Sequence, residues 1–132
     1  MTTHTASCRC SQLRATVTGE PVRVSVCHCL DCQKRSGSAF AAQVRFPADA
    51  VTAEGSSSVY AHTGGGGNIA RFHFCPTCAD TLFFTNDNAP ETIAIPLGAF
   101  DDPHAFTPTV SVWGERKHDW VEISGEGVEH TR

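Results

Sequence analysis

No run of apolar residues in this 132-residue chain approaches the roughly 18 that span a bilayer, and the amino terminus, MTTHTAS, has no basic start and no apolar stretch behind it. Those absences argue against a membrane segment or secretory leader, so the expected setting is the cytoplasm. Basic residues are outnumbered, ten Lys and Arg against fourteen Asp and Glu. They are scattered rather than striped, so the electrostatic footprint of nucleic-acid binding is missing. No long helical period appears either. Charge-rich disorder is excluded, because 40% hydrophobic and 18% charged residues are ordinary for a globular chain. The length fits one domain, residues 1–132, burying roughly two thirds of its unfolded surface.

What is present is a period of two. Leu13, Ala15 and Val17 alternate in LRATVTG, and Val22, Val24 and Val26 in VRVSVC. In the second run Arg23, Ser25 and Cys27 share the face opposite the valines. Further strand-like runs, FAAQVRF, SVYAH, NIARFHFC, TLFFT, ETIAIPLG and TVSVWG, predict a mainly β fold of antiparallel sheets with little helix. The one helix candidate is LDCQKRS, residues 30–36, with Asp31 as cap and Gly37 as stop. TGGGGN, residues 63–68, is the only low-complexity stretch; lacking a Lys-Ser or Lys-Thr after it, it is no phosphate loop and reads as a hairpin connection.

Cysteine is the informative residue. Seven is an odd count in an expected reducing setting, which points to metal ligands rather than disulfides. They fall into three groups: Cys8 and Cys10 in SCRCSQ, Cys27, Cys29 and Cys32 in CHCLDC, and Cys75 and Cys78 in FCPTCAD. C-x-C in extended chain puts both sulfurs on one face, and C-x-x-C grips an ion across a tight turn, so each pair is half a tetrahedral site. Cys8, Cys10, Cys75 and Cys78 can close a structural zinc site, leaving Cys27, Cys29 and Cys32 as a three-ligand site open to water or substrate. Spacing also permits Cys8, Cys10, Cys29 and Cys32 to close a ribbon-like site, with Cys27, Cys75 and Cys78 open. His28, between two ligands in extended chain, points to the opposite face; His73 shares the face of Cys75 and can approach a metal. The other histidines carry no signal.

With CRC, CHCLDCQKRSGSAF, RFHFCPTCADTLF, IPLGAFDDP and VSVW in order between residues 8 and 113, the chain resembles the glutathione-dependent formaldehyde-activating enzyme family, which includes centromere protein V-like domains. The resemblance implies a β-tent fold, a structural zinc on Cys8, Cys10, Cys75 and Cys78, and a catalytic zinc on Cys27, Cys29 and Cys32, two ions per chain. It also implies a carbon–sulfur lyase or synthase acting on a glutathione-like thiol and a small aldehyde, with an S-hydroxymethyl thiol as the adduct. The chain departs from the family pattern at Ser11 and Ala79, where glycine usually follows each half of the structural site. Glycine there permits positive φ, so these turns are expected to be strained or reshaped.

An open zinc held by three thiolates carries a net charge of about −1 and suits a soft thiolate as fourth ligand. The carboxylates of a glutathione-like substrate need cationic or backbone partners. Lys34, Arg35, Arg45 and Arg71 are the nearest cations in sequence, and Ser36, Gly37 and Ser38 can offer N–H and hydroxyl donors. The competing expectation is a non-catalytic, zinc-stabilised protein-binding domain in which both ions are structural.

Overall fold

The computed structural model describes residues 1–132, and its regular structure is mostly short strands. In chain order they are β1 (Thr3–Ser7), β2 (Arg14–Thr18), β3 (Arg23–Cys27), β4 (Ala41–Pro47), β5 (Val51–Glu54), β6 (Ser58–Thr63), β7 (Ile69–Phe74), β8 (Thr81–Asn86), β9 (Ala89–Pro96), β10 (Val110–Val112) and β11 (Glu129–His130). One α-helix, α1 (Leu30–Ser36), interrupts them between β3 and β4. No helix is long and apolar enough to cross a membrane.

The strands form a three-stranded sheet, β1-β2-β5, and an eight-stranded sheet ordered β11-β10-β3-β4-β9-β8-β7-β6. Pairing is antiparallel with one exception: β10 runs parallel to both of its neighbours, β3 and β11. The period-two reading fails there because a short apolar run does not encode the direction of its partner. β1 and β5 were also illegible, since THTAS and VTAE have little alternation of their own.

The alternation read in β2 is real. Leu13, Ala15 and Val17 are buried, and they meet Val24, Val44, Phe46, Leu82, Ile95 and Phe100 in one core between the sheets. Phe46, Phe100 and Phe106 close one part of that core, with ring centroids 4.9–6.2 Å apart. Only 22 of 132 residues are buried, a thin core for this length, which leaves room for metal sites to contribute to folding.

From Arg23 onward β3 divides its residues as its sequence predicts, but Val22, read on the same apolar face as Val24, lies before the strand and is 61% exposed. Val24 enters the core, while Arg23, Ser25 and Cys27 face a cleft on the other side of the eight-stranded sheet. α1 then begins at the end of β3. Its N-cap is Cys29 rather than Asp31: the Cys29 Sγ accepts from the Cys32 N–H at 3.3 Å. Asp31 instead lies in the first helical turn, where its charge suits the helix terminus. Gly37 closes the helix at φ 70°, donating its N–H to the Gln33 carbonyl.

Candidate metal centres and cleft

Two turns of the same design carry the first cysteine group. After Cys8, the Cys8 N–H bonds the Leu13 carbonyl and the Ser11 N–H bonds the Cys8 carbonyl; after Cys75, the Cys75 N–H bonds the Asp80 carbonyl and the Ala79 N–H bonds the Cys75 carbonyl. Ser11 and Ala79 take φ 68° and 69°, the left-handed values for which glycine is suited. The turns therefore keep the shape glycine would give and carry the strain. Arg9 ties one turn to the other, its backbone N–H and guanidinium both reaching the Asp80 carboxylate at 2.8–3.0 Å.

The turns bring the sulfurs of Cys8, Cys10, Cys75 and Cys78 within 4.8 Å of one another. Cys8 to Cys10 and Cys10 to Cys75 are each 3.6 Å. A disulfide needs about 2.05 Å, whereas four thiolates on a tetrahedral zinc lie about 3.8 Å apart. N–H groups point at the sulfurs as they do around bound thiolates: Leu13 at Cys8, and Thr77, Cys78 and the Gln12 side chain at Cys75. Burial raises the Cys75 thiol and these donors lower it; the donors prevail, bringing it to about 6. Gln12 was missed in sequence. Besides its 3.0 Å contact to Cys75 it clamps Ser56 through both its amide atoms, and Gly55 lets the chains meet, since a Cβ there would lie 1.9 Å from the Gln12 carbonyl oxygen.

Cys27, Cys29 and Cys32 form a second group with the same mutual reach. Hydrogen bonding from Cys32 draws the Cys27 thiol down to about 6 against its burial, and the Cys32 thiol is pushed up in exchange. Three thiols that compete for one charge become three thiolates only around a cation. No histidine or carboxylate joins either group. His28 is fully buried on the far side, with Nε2 2.8 Å from the Ser111 hydroxyl. His73 stacks on Phe83 at 4.3 Å. Asp31 turns to His62, 3.3 Å away. The ribbon-like grouping of Cys8 and Cys10 with Cys29 and Cys32 is not the one the fold assembles.

The second group lies in the wall of a cleft of about 990 Å³. Five arginines line it, Arg23, Arg35, Arg45, Arg116 and Arg132, against one acidic side chain, Asp31. Arg35 lies over Phe84 and Phe72, its guanidinium carbon 4.9 and 5.5 Å from their ring centroids. The glycine hairpin lines the same cleft through Gly64, Gly65 and Gly66, so the connection read as a plain hairpin also shares the cavity of the cysteines.

Of the substrate contacts expected from sequence, Arg35 and Arg45 face this cleft. Arg71 does not; it is an exposed residue of β7 bonded to Asp87 at 3.0 Å. Lys34, Gly37 and Ser38 are exposed and lie outside the lining, and Ser36 borders a second cavity beside Cys8. Proximity in sequence misled because α1 presents only one side to the cleft. Arg23 could have been found from its phase with Cys27; Arg116 and Arg132 carried no signal.

Residues 3–116 match the family model described as glutathione-dependent formaldehyde-activating enzyme. A protein of Halomonas elongata, named for glutathione-dependent formaldehyde activation as a provisional assignment, is 31% identical over 123 residues, covering 89% of this chain and 78% of its own. A crystal structure of a Rhodobacter sphaeroides protein superposes with a TM-score of 0.57 at 17% identity, over 74% of this chain and 88% of that one, a likeness of fold.

Proposed function

The chain belongs to the glutathione-dependent formaldehyde-activating enzyme family, and from that premise we propose that it joins a glutathione-like thiol to a small aldehyde, and reverses the step, at Cys27, Cys29 and Cys32. The observation that carries this reading is the open three-sulfur group set in the wall of an arginine-lined cleft. A closed site would need a fourth protein ligand, and the nearest candidates, His28 and Asp31, are turned to other partners. That disposition favours an enzyme over a zinc-stabilised binding domain.

In this proposal both cysteine groups hold zinc, the four-sulfur one for structure. Zinc at the three-sulfur group would supply an open fourth coordination position, suited to a soft ligand, that keeps a substrate sulfur as thiolate at neutral pH. The chain supplies the rest. Cys29 caps α1 and accepts from the Cys32 N–H, so the helix start fixes the spacing of two of the three sulfurs. Arg35, held over the Phe84 and Phe72 rings, sets positive charge beside the group. The reaction needs no other reactant: the thiol sulfur bonds the aldehyde carbon, the carbonyl π pair moves to oxygen, and the proton lost from sulfur ends on that oxygen as the hydroxyl. The reverse step breaks the carbon–sulfur bond and returns both molecules.

Exchange NMR of glutathione mixed with ¹³C-formaldehyde tests this directly. Wild-type protein is expected to accelerate exchange between free aldehyde and the S-hydroxymethyl adduct, and Cys29→Ser to return it to the uncatalysed rate. An exchange rate identical with and without wild-type protein refutes the activity.

A further inference from the structure

The cleft floor is a ladder of three chemically different rows, set by the register of β3 against β4. Cys27 stands opposite Ala41, Ser25 opposite Gln43, and Arg23 opposite Arg45. Side chains two apart on a strand share a face, and Arg23, Ser25, Cys27, Gln43 and Arg45 all line the same cleft. With about 3.4 Å of rise per residue, the rows are about 7 Å apart, and the arginine row begins about 14 Å from Cys27 along the strand.

The arginine row and the middle row need something the protein does not provide. Like charges directly opposite in an antiparallel pair repel, and neither Arg23 nor Arg45 has an acidic partner; the ion pairs of the molecule are Arg9 with Asp80, His62 with Asp31, and Arg71 with Asp87. Burial lowers the pKa of Arg45, and the charge of Arg23 lowers it further. In the middle row Gln43 is only 4% exposed. Its amide nitrogen donates to the Ser25 hydroxyl at 3.3 Å, but its Oε1 is buried with no partner from the protein. A buried acceptor left unpaired is destabilising, and so does not persist without reason. The Nη2 of Arg35, which also lines the cleft, is likewise buried with no partner from the protein.

We propose that Arg23 and Arg45 form a carboxylate subsite, and Gln43 an amide subsite, that select a peptide thiol laid along β3 with its sulfur at Cys27, Cys29 and Cys32. The order of rows then matches the order of groups along such a ligand: thiol, amide N–H, carboxylate. A carboxylate between Arg23 and Arg45 turns their repulsion into two charge-assisted hydrogen bonds, and an amide N–H satisfies Gln43 Oε1. This rests on the thiol-binding reading of the three-cysteine group and adds what decides which thiol is taken.

Calorimetric titration of the metal-loaded protein with glutathione, glutathione diethyl ester and 2-mercaptoethanol separates the two ideas. Glutathione is expected to bind at least about tenfold more tightly than the ester, the effect of losing charge-assisted hydrogen bonds. Arg23→Gln and Arg45→Gln should each cost a similar factor for glutathione and leave 2-mercaptoethanol unchanged; Arg14→Gln, on β2 in the other sheet, should alter neither. Equal affinity for glutathione and its ester overturns the subsite while the thiol centre stands, and because that comparison uses the intact protein it does not depend on any variant folding. Arginine variants that weaken 2-mercaptoethanol as much as glutathione also overturn it. Failure of every thiol to bind overturns the subsite and the proposed function together.

Discussion

At the scale of single residues, the clearest cost in the molecule lies at Ser11 and Ala79. Each follows the last cysteine of a turn and holds φ near 70°, where a side chain costs on the order of 1 kcal/mol relative to glycine. Glycine also gains entropy when unfolded, which returns part of that difference. Ser11→Gly and Ala79→Gly are therefore expected to stabilise by about 0.5–1 kcal/mol each, raising the melting temperature of metal-loaded protein by a few degrees in differential scanning calorimetry. A lower melting temperature in both would show that the turns are not strained. The sequence raised this question by lacking glycine at these two places, but left open whether the turns would change shape or bear the strain.

At the scale of elements, the two cysteine turns act as one unit because Arg9 reaches across to Asp80. The hydrogen bond and charge of Arg9 hold the Asp80 carboxyl below its ordinary 3.8. A depressed carboxyl stabilises the fold above its unfolded value, and that contribution is lost as pH falls through the folded value. Wild type should thus be more stable than Asp80→Asn at pH 7, and the gap should close below about pH 4. The Arg9 side chain is 80% exposed, so the gap should be small and should shrink in high salt. Urea titrations of the two proteins across pH measure it; a gap that is constant in pH would assign the effect to shape rather than charge.

At the scale of the whole molecule, the two cysteine groups hold together different amounts of structure. Cys8 and Cys10 follow β1 in the small sheet, whereas Cys75 and Cys78 join β7 to β8 in the large one, so a metal there staples the two sheets across a thin core. Cys27, Cys29 and Cys32 lie within six residues and staple little. Elemental analysis is expected to find two zinc ions per chain; Cys78→Ser should lose solubility or melt far lower, and Cys29→Ser should fold nearly normally. Zinc K-edge absorption should count about 3.5 sulfurs per zinc, seven cysteines over two ions, rising to about 4 with bound glutathione. Equal destabilisation by both substitutions would mean two structural sites.

The sequence by itself determined the mainly β character, the helix at residues 30–36, the face on which Cys27 lies and the compactness of the three cysteine groups. All are local: the period of a strand, the stop at Gly37 and the reach of a C-x-x-C turn depend on neighbours a few positions away. Tertiary structure alone decided which distant groups meet. Cys8 and Cys75 come together because β1 and the β7–β8 turn lie at the same junction of the sheets, a fact no spacing encodes. It also decided the cleft: Arg23 and Arg45 face each other through the β3–β4 register, while Arg71, equally basic in the sequence, is neutralised by Asp87 on another surface. Charge and burial are properties of position in space, and a linear pattern does not contain them.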